Sequence, residues 1–310
     1  MKVGVIGAGY WGKKHVEEYR ALGHEVHVSD LLEQNLQACQ QRYGAVCHAD
    51  YKQLLADPDI FAVSICTPNH THHQVALDAL KAGKHVLIEK PMVMSVSDAD
   101  GIIKAAQEAG KHVSVGYLYR YNNAINYAKQ QIAQGALGQI YTMHFRWTNL
   151  EPVWPDRDII FDLGAHPVDI SLHLLGRLPR AVHANGNAFR QQNEEMAVIN
   201  YHIGKTLINI EGSWITPIKT RDITIVGSER TLWIDALPQS IKIIDHATRG
   251  EDLIKVEQSN TIREELAHFI SEARNNPHQE AAKSGRDVIK VLQAARHSVQ
   301  EKRSAALLSE

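Results

Sequence analysis

Short apolar runs recur along residues 1–120: KVGVI, EVHVSD, AVCH, AVSICT, HVLIEK and HVSVGY. Between them lie stretches with the apolar spacing of amphipathic helices, at about Gly12 to Leu22, Tyr51 to Ala56, His72 to Ala82 and Ser97 to Gly110. Strand and helix alternating this regularly predict a parallel, doubly wound sheet, whose strands are covered on both faces. Gly23, Gly83 and Gly110 each follow a helical stretch and precede a strand, where a left-handed helix end is expected. In HVLIEKPM, the apolar Val86, Leu87 and Ile88 run directly into Glu89, Lys90 and Pro91. A lysine at the carboxyl end of a buried parallel strand lies on the edge where open α/β sheets hold their ligands. Lys90 is therefore expected to face a substrate.

After Tyr117 the pattern changes. A helical stretch from about Asn123 to Gln134 leads to the strand QIYTMHFRWT and an irregular loop containing Pro152 and Pro155. A second helix is predicted at about Gly164 to Leu175. Strand-like runs then succeed one another: AVHANGN, MAVINYHI, TLINIEGSWI, DITIVGS, TLWIDAL and SIKIID. Two helices, about Ile262 to Arg274 and Ser284 to Lys302, close the chain. Strands in succession point to a mostly antiparallel open sheet in a separate α+β domain. The expected division is a dinucleotide-binding domain over 1–120 and a substrate-binding and oligomerisation domain over 121–310. The pattern holds no internal repeat, low-complexity tract or long linker.

Length and charge narrow the function. The 310 residues fit two domains at ~100–200 residues each. Lysine and arginine number 33 against 35 acidic residues, a formal charge of -2, so no basic face advertises nucleic acid or an anionic membrane. A small-molecule partner is expected instead. Cys39, Cys47 and Cys66 form no C-x-x-C and are odd in number, as reduced thiols in a cytoplasmic protein would be. No apolar run approaches the ~18 residues of a membrane span, and MKVGVIGAGYWG reads as the start of a folded domain rather than a leader.

That start carries the first chemistry. Gly7, Gly9 and Gly12 form G-x-G-x-x-G directly after a strand and at the head of a helix, with Tyr10 and Trp11 between the last two. The first glycine permits a tight turn, the second lets a pyrophosphate approach the backbone, and the third lets helix and strand pack closely. The phosphates then sit over the helix N-terminus. Asp30 ends the second strand 18 positions beyond Gly12, where an acidic residue accepts hydrogen bonds from the adenosine ribose. A carboxylate there repels a 2′-phosphate and Leu31 supplies no cation, so NAD is expected rather than NADP. Thr67, Pro68 and Asn69 end AVSICT on the same sheet edge and are expected near the nicotinamide half; an ordinary Pro-Asn turn is the plainer alternative.

In FDLGAHPVDI, Asp162, His166 and Asp169 stand at spacings of four and three, which share one face of a helix. Pro167 is comfortable only in a first helical turn, so the helix is expected to begin near Ala165 or His166, with Asp162 on the preceding loop. A metal site is disfavoured, because His70, His72, His73 and this cluster match no zinc spacing. A purely structural role is weakened by the lysine and the cofactor motif already in hand. Hydride removal from a secondary alcohol needs a base for the hydroxyl proton and a donor to hold the forming ketone. Histidine, with an ordinary pKa of ~6.5, suits the base better than lysine at ~10.4. His166 is thus assigned the proton, Lys90 the substrate oxygen and Asp162 the orientation of its neighbours. The reverse assignment, Lys90 as base, stays open.

Together these motifs resemble a known family. The glycine-rich start, TPN at Thr67 to Asn69 with His72 three residues on, EKP at Glu89 to Pro91, and D-x-x-x-H-x-x-D at Asp162 to Asp169 are similar to the glucose-fructose oxidoreductase, inositol dehydrogenase and MocA family. The resemblance implies a Rossmann domain, a second domain whose open sheet forms homodimer or homotetramer contacts, and a bound NAD or NADP. It further implies Lys90, Asp162 and His166 as the catalytic set, with His72 and Glu89 beside the cofactor. Arg120 and Asn122, in GYLYRYNN, occupy the family's cleft-side stretch, though Asn123 stands where proline is frequent. WITPIKTRDITIVGSE is similar to members that oxidise nucleotide-linked sugars such as UDP-N-acetylglucosamine at C3. Lys219 and Arg221 are then expected to meet a diphosphate and Trp214 an apolar face, unless these cations simply face water. The alternatives are a free-sugar, polyol or inositol dehydrogenase, a ketosugar reductase, or a cofactor-binding sensor without catalysis.

Overall fold

The structure is a computed structural model that describes residues 1–153, 157–275, 277–303 and 305–307; Pro155 of the expected loop lies outside them. The chain forms two compact units, Met1–Leu118 with Asn260–Ile289, and Tyr119–Ser259 with Lys290–Glu310.

The first unit alternates β1 (Lys2–Ile6), α1 (Tyr10–Ala21), β2 (Glu25–Ser29), α2 (Glu33–Tyr43), β3 (Val46–His48), α3 (Tyr51–Ala56), β4 (Ile60–Ile65), α4 (His72–Lys81), β5 (His85–Ile88), α5 (Val96–Ala109) and β6 (Val113–Val115). The strands form one six-stranded sheet in the order β3-β2-β1-β4-β5-β6, with every pairing parallel. The order reverses between β1 and β4, which opens a crevice beyond their carboxyl ends. Val86, Leu87 and Ile88 are fully buried, as a strand covered on both faces requires. β5 ends at Ile88, so Glu89 and Lys90 already belong to the turn. Gly23, Gly83 and Gly110 all have positive φ.

Residues 260–289, expected with the second domain, pack with the first unit instead. Along the helix Thr261–Asn275, Leu266, Phe269, Ile270 and Ala273 recur at helical spacing and join the cluster formed by Val3, Val5, Val16, Tyr19 and Val28. Its apolar stripe was legible, but periodicity does not say which core a stripe covers.

The second unit begins with α6 (Asn123–Ala133), β7 (Ile140–Leu150), α7 (Ile159–Asp162) and α8 (Ala165–Leu175). There follow β8 (Ala181–Asn187), β9 (Met196–Ile203), β10 (Thr206–Ser213), β11 (Ile215–Gly227), β12 (Arg230–Asp235), β13 (Ser240–Asp245) and β14 (Glu251–Ile254). After the helix Thr261–Asn275 (α9) come α10 (Glu280–Glu301) and β15 (Ala305–Ala306). The sheet order is β14-β13-β12-β11-β7-β10-β9-β8-β15, antiparallel except for the β7–β10 pair. Burial alternates along its strands: Ile208 and Ile210 are inside while Leu207, Asn209 and Glu211 are half-buried. One face is therefore core and the other is open, the arrangement antiparallel sheets permit. β11 runs through the whole of ITPIKTRDITIVG, where only DITIVGS was expected; its register slips between Ile215 and Thr220, around Pro217, which has no amide to give the ladder.

Among the described residues no helix is long and apolar enough to cross a membrane, and no group of His, Cys, Asp and Glu is arranged to hold a metal ion. The three cysteines are free; Cys39 is buried, while Cys47 and Cys66 are half-buried rather than enclosed.

Candidate functional site

In the first unit the glycine-rich turn leaves β1 at the sheet crevice. Gly7 has φ +90°, and a Cβ added there would lie 2.7 Å from the Cys66 carbonyl oxygen. A Cβ at Gly12 would lie 1.8 Å from the Gly7 carbonyl oxygen. Both glycines are thus demanded by the protein itself. Gly9 differs, since a Cβ there meets nothing within 4 Å. It also stands at the N-cap of α1, whose first amides receive no side-chain cap. Uncapped amides at the head of a twelve-residue helix, beside an open backbone approach, make a seat for an anion such as a dinucleotide pyrophosphate. The residues present fit that group.

Asp30 follows β2 and is tied down at both oxygens. Oδ2 accepts the Ala8 amide at 2.6 Å, and Oδ1 accepts the Leu32 amide at 2.8 Å and Asn35 Nδ2 at 3.2 Å. Asn35 in turn accepts Lys13 Nζ at 2.8 Å. A groove of about 490 Å³ runs beside this network, lined by Gly9, Tyr10, Lys13, Lys14, Glu17, Asn35, Arg42 and Tyr43. Sequence reasoning looked for a cation only at Leu31, which is 95% exposed. The structure brings Lys13, Lys14 and Arg42 to the groove from α1 and α2 instead. The signal that could have found them is helical spacing, because Lys13 and Glu17 share a face of α1.

His72 is enclosed, with Nδ1 3.0 Å from the Pro91 carbonyl and Nε2 2.9 Å from the Thr67 carbonyl. Burial lowers its pKa against the opposing pull of those carbonyls. A neutral ring has one N–H and donates to one carbonyl at a time, so His72 braces the two turns that carry Thr67 and Lys90. Glu89 is likewise turned inward: Oε2 accepts the Lys90 amide at 3.1 Å and Oε1 lies 3.0 Å from His15 Nε2. His15, fully buried on α1, escaped sequence reasoning. Lys90 itself is half-buried, and Thr67 Oγ1 accepts the Thr71 hydroxyl at 2.7 Å.

In the second unit Asp162 closes the single turn α7, whose N-cap Asp158 accepts the Phe161 amide at 2.9 Å. α8 begins at Ala165, so Pro167 falls in its first turn, where proline is tolerated. The helix is buried almost all round, and His166 is 7% exposed and Asp169 1%. Asp169 does not stand with a free carboxylate. Arg120 Nε donates to both its oxygens at 3.0 Å, and Arg120 Nη2 donates to Oδ1 as well. Burial raises the Asp169 pKa more than the guanidinium lowers it. One turn further on, burial holds His173 down to about 4, with Lys129 Nζ 3.1 Å from its Nε2.

The ring of Tyr119 meets the His166 imidazole edge to face, centroids 4.9 Å apart. Asn122 is buried as the N-cap of α6, accepting the amides of Ala124 and Ile125 at 3.0 and 3.3 Å and donating Nδ2 to the Ala236 carbonyl at 2.9 Å. Arg221 is 9% exposed, with its donors on the Thr148 and Thr220 carbonyls and Asn149 Oδ1. It therefore does not simply face water, whereas Lys219, four positions into β11, is exposed. Trp214 lies wholly inside the unit rather than on a surface.

Comparison with known proteins bears on both units. Residues 1–117 match the model of an oxidoreductase family with an NAD-binding Rossmann fold, and residues 125–233 match the GFO/IDH/MocA C-terminal domain. The chain is 33% identical over 246 residues to UDP-N-acetylglucosamine 3-dehydrogenase of Acidithiobacillus ferrooxidans, covering 78% of this chain and 76% of the relative. Against the solved structure of that enzyme the identity over a longer span is 27%, with TM-score 0.86 and coverage of 97% and 98%. Myo-inositol 2-dehydrogenase of Thermotoga maritima is 23% identical, covering 99% of this chain and 98% of its own. A levoglucosan dehydrogenase solved in complex with NADH shares the fold at TM-score 0.90 and 18% identity, with each chain fully covered.

Proposed function

The chain belongs to the GFO/IDH/MocA oxidoreductase family, with an NAD-binding Rossmann domain at its head, and from that premise we propose a dehydrogenase of a secondary sugar hydroxyl. The observation that carries the reading is Gly9, a glycine the protein's own packing does not require, at the uncapped head of α1 with Asp30 beside the same turn. Gly7, Gly9, Tyr10, Trp11 and Gly12 would hold the pyrophosphate, Asp30 the adenosine ribose, and Thr67, Pro68 and Asn69 the nicotinamide half. When bound, the nicotinamide supplies the hydride acceptor. NAD is favoured because the Asp30 carboxylate opposes a 2′-phosphate; the cations of the neighbouring groove temper that preference, and the ratio of kcat/KM for NAD and NADP measures it.

Lys90 donates a hydrogen bond to the reacting oxygen and stabilises charge that forms there. His166 takes the hydroxyl proton, and the enclosure of its Nδ1 favours Nε2 as the accepting atom. Asp162 favours the imidazolium that results. With a nicotinamide held there to take the hydride from the carbon, His166 would take the proton of the oxygen–hydrogen bond and Lys90 would steady the oxygen as it becomes the ketone. His72 and Glu89 support the site from behind, through the Thr67 and Pro91 carbonyls and the Lys90 amide.

For the substrate we favour a nucleotide-linked sugar oxidised at C3, on the strength of the relative at 33% identity. A second reading, a free sugar, polyol or inositol, has its own support. An inositol dehydrogenase matches over nearly the whole chain, and the buried Arg221 leaves Lys219 alone of that pair at the surface to meet a diphosphate. The experiment is turnover of the purified protein with NAD on UDP-N-acetylglucosamine and on myo-inositol, alongside Lys90→Ala. An enzyme loses on the order of 10²–10⁴-fold in kcat in that variant while still binding NAD. Wild-type inertness on every sugar and polyol, with intact NAD binding, would instead indicate a cofactor sensor.

A further inference from the structure

Two neighbouring residues of one short turn, Leu118–Tyr121, hold two residues of α8 that stand three apart. Arg120 holds Asp169 by its bidentate pair. Tyr119 holds His166, ring against ring at 4.9 Å with planes crossing at 78°. The same Tyr119 ring rests against Trp147 at 5.5 Å and 73°.

Behind this pair of aromatics lies Arg221. Its guanidinium is 5.9 Å from the centroid of the Trp147 ring, the ring on which Tyr119 rests. Its donors reach the Thr148 carbonyl at 2.9 Å, the Thr220 carbonyl at 2.6 Å and Asn149 Oδ1 at 2.9 Å. Among the described residues Arg221 makes no salt bridge. A buried cation with no carboxylate is costly to hold and gives the fold little that a well-packed apolar side chain would not. What it does supply is direction, because a planar fork anchored at three oxygens fixes whatever else it touches.

We infer that Tyr119 is a positioning residue for His166, and that the buried Arg221 guanidinium sets Tyr119 in place through the Trp147 ring between them. This rests on the proposed role of His166 as proton acceptor. An imidazole turns about two bonds, and a base displaced by an ångström is a poor one. The edge-to-face contact removes that freedom on one side of the ring, while the grip of Arg120 on Asp169 fixes the helix that carries it. Neither residue touches the reacting atoms in this account.

The test uses the full-length protein with NAD and whichever sugar or polyol it turns over, in wild type, Tyr119→Leu, Tyr119→Phe and Arg221→Met. Tyr119→Leu is expected to lower kcat on the order of 10- to 100-fold, with KM for NAD unchanged. Tyr119→Phe, which keeps the ring, should recover most of that loss. Independently of turnover, the His166 ring-proton resonances, assigned by their disappearance in His166→Gln, should move in Tyr119→Leu and Arg221→Met as the ring current is lost or displaced. In Tyr119→Phe they should stay near their wild-type positions. Wild-type kcat in Tyr119→Leu, or unmoved His166 resonances there, overturns the inference. Should the wild type itself turn over no sugar or polyol, the proposed activity fails, and the resonances still decide whether Tyr119 positions His166.

Discussion

The three glycines of the dinucleotide motif should respond in three different ways to the same added methyl group. At Gly12 the new carbon would lie 1.8 Å from a backbone oxygen, so α1 or β1 must move, and a loss of ~4 kcal/mol or more is expected. At Gly7 the backbone sits at φ +90°, which costs an alanine ~1–3 kcal/mol. Its methyl also lies 2.7 Å from the Cys66 carbonyl oxygen, adding a further ~1–3 kcal/mol of overpacking. At Gly9, φ is -68° in an extended backbone that any residue adopts, and the methyl meets nothing. Stability should hold or rise by ~0.4–1 kcal/mol as the unfolded chain loses freedom. Thermal unfolding separates the three, since each kcal/mol moves Tm by about 2–4 °C for a unit of this size. NAD titration by calorimetry then reverses the ranking for Gly9→Ala: a folded, stable protein with affinity reduced at least ~10-fold, or about 1.4 kcal/mol, because the methyl occupies the phosphate approach. Gly9→Ala that unfolds like Gly12→Ala, or binds NAD as the wild type does, would refute the reasoning.

Arg120→Met strands the Asp169 carboxylate in the core, and urea unfolding at neutral pH should show a loss of ~3–5 kcal/mol. Because the folded-state pKa of Asp169 is raised, its stabilising contribution is present below the ordinary carboxylate range and is lost as pH rises through the folded value. The penalty should accordingly be smaller at pH ~4 than at pH ~8. A penalty that grows towards acid counts against this. Burial, helped by Lys111 and His112, lowers His85 to about 4. The unfolded chain then binds the extra proton between pH ~6.5 and 4, so stability falls across that window by at most ~3 kcal/mol. His85→Asn keeps an acceptor for the His112 amide that His85 Nδ1 now receives at 3.0 Å, and should show a shallower slope in the same titration.

Period and motif made much of the molecule legible. The parallel alternation, the glycine turn, the end of β5 before Lys90 and the start of α8 beside Pro167 are local consequences of residue type and spacing. Some residues carried signals that were legible yet read differently. Arg221 has the parity of Ile223 and Ile225, so the period-two pattern of β11 already turns it inward; its charge suggested a ligand instead. Asn122 stands immediately before a helix, where asparagine caps amides, and that is the work it does.

Other features depended on tertiary structure. Arg120 meets Asp169 across 49 positions, and His15 meets Glu89 across 74. The apolar stripe of α9 packs with β1 and α1 from the far end of the chain. Lys13 reaches Asp30 through Asn35 only because α1 and α2 lie side by side. The reason is physical. Backbone preference and apolar period act over a few residues and so are written in the chain, whereas a buried polar group takes whichever partner the packing of distant elements delivers within about 3 Å. The sequence by itself determined a Rossmann domain with its cofactor turn and a second, antiparallel domain carrying Asp162 and His166. The tertiary structure alone decided that Arg120, His72 and Glu89 face inward onto protein groups, and that His166 is held by Tyr119.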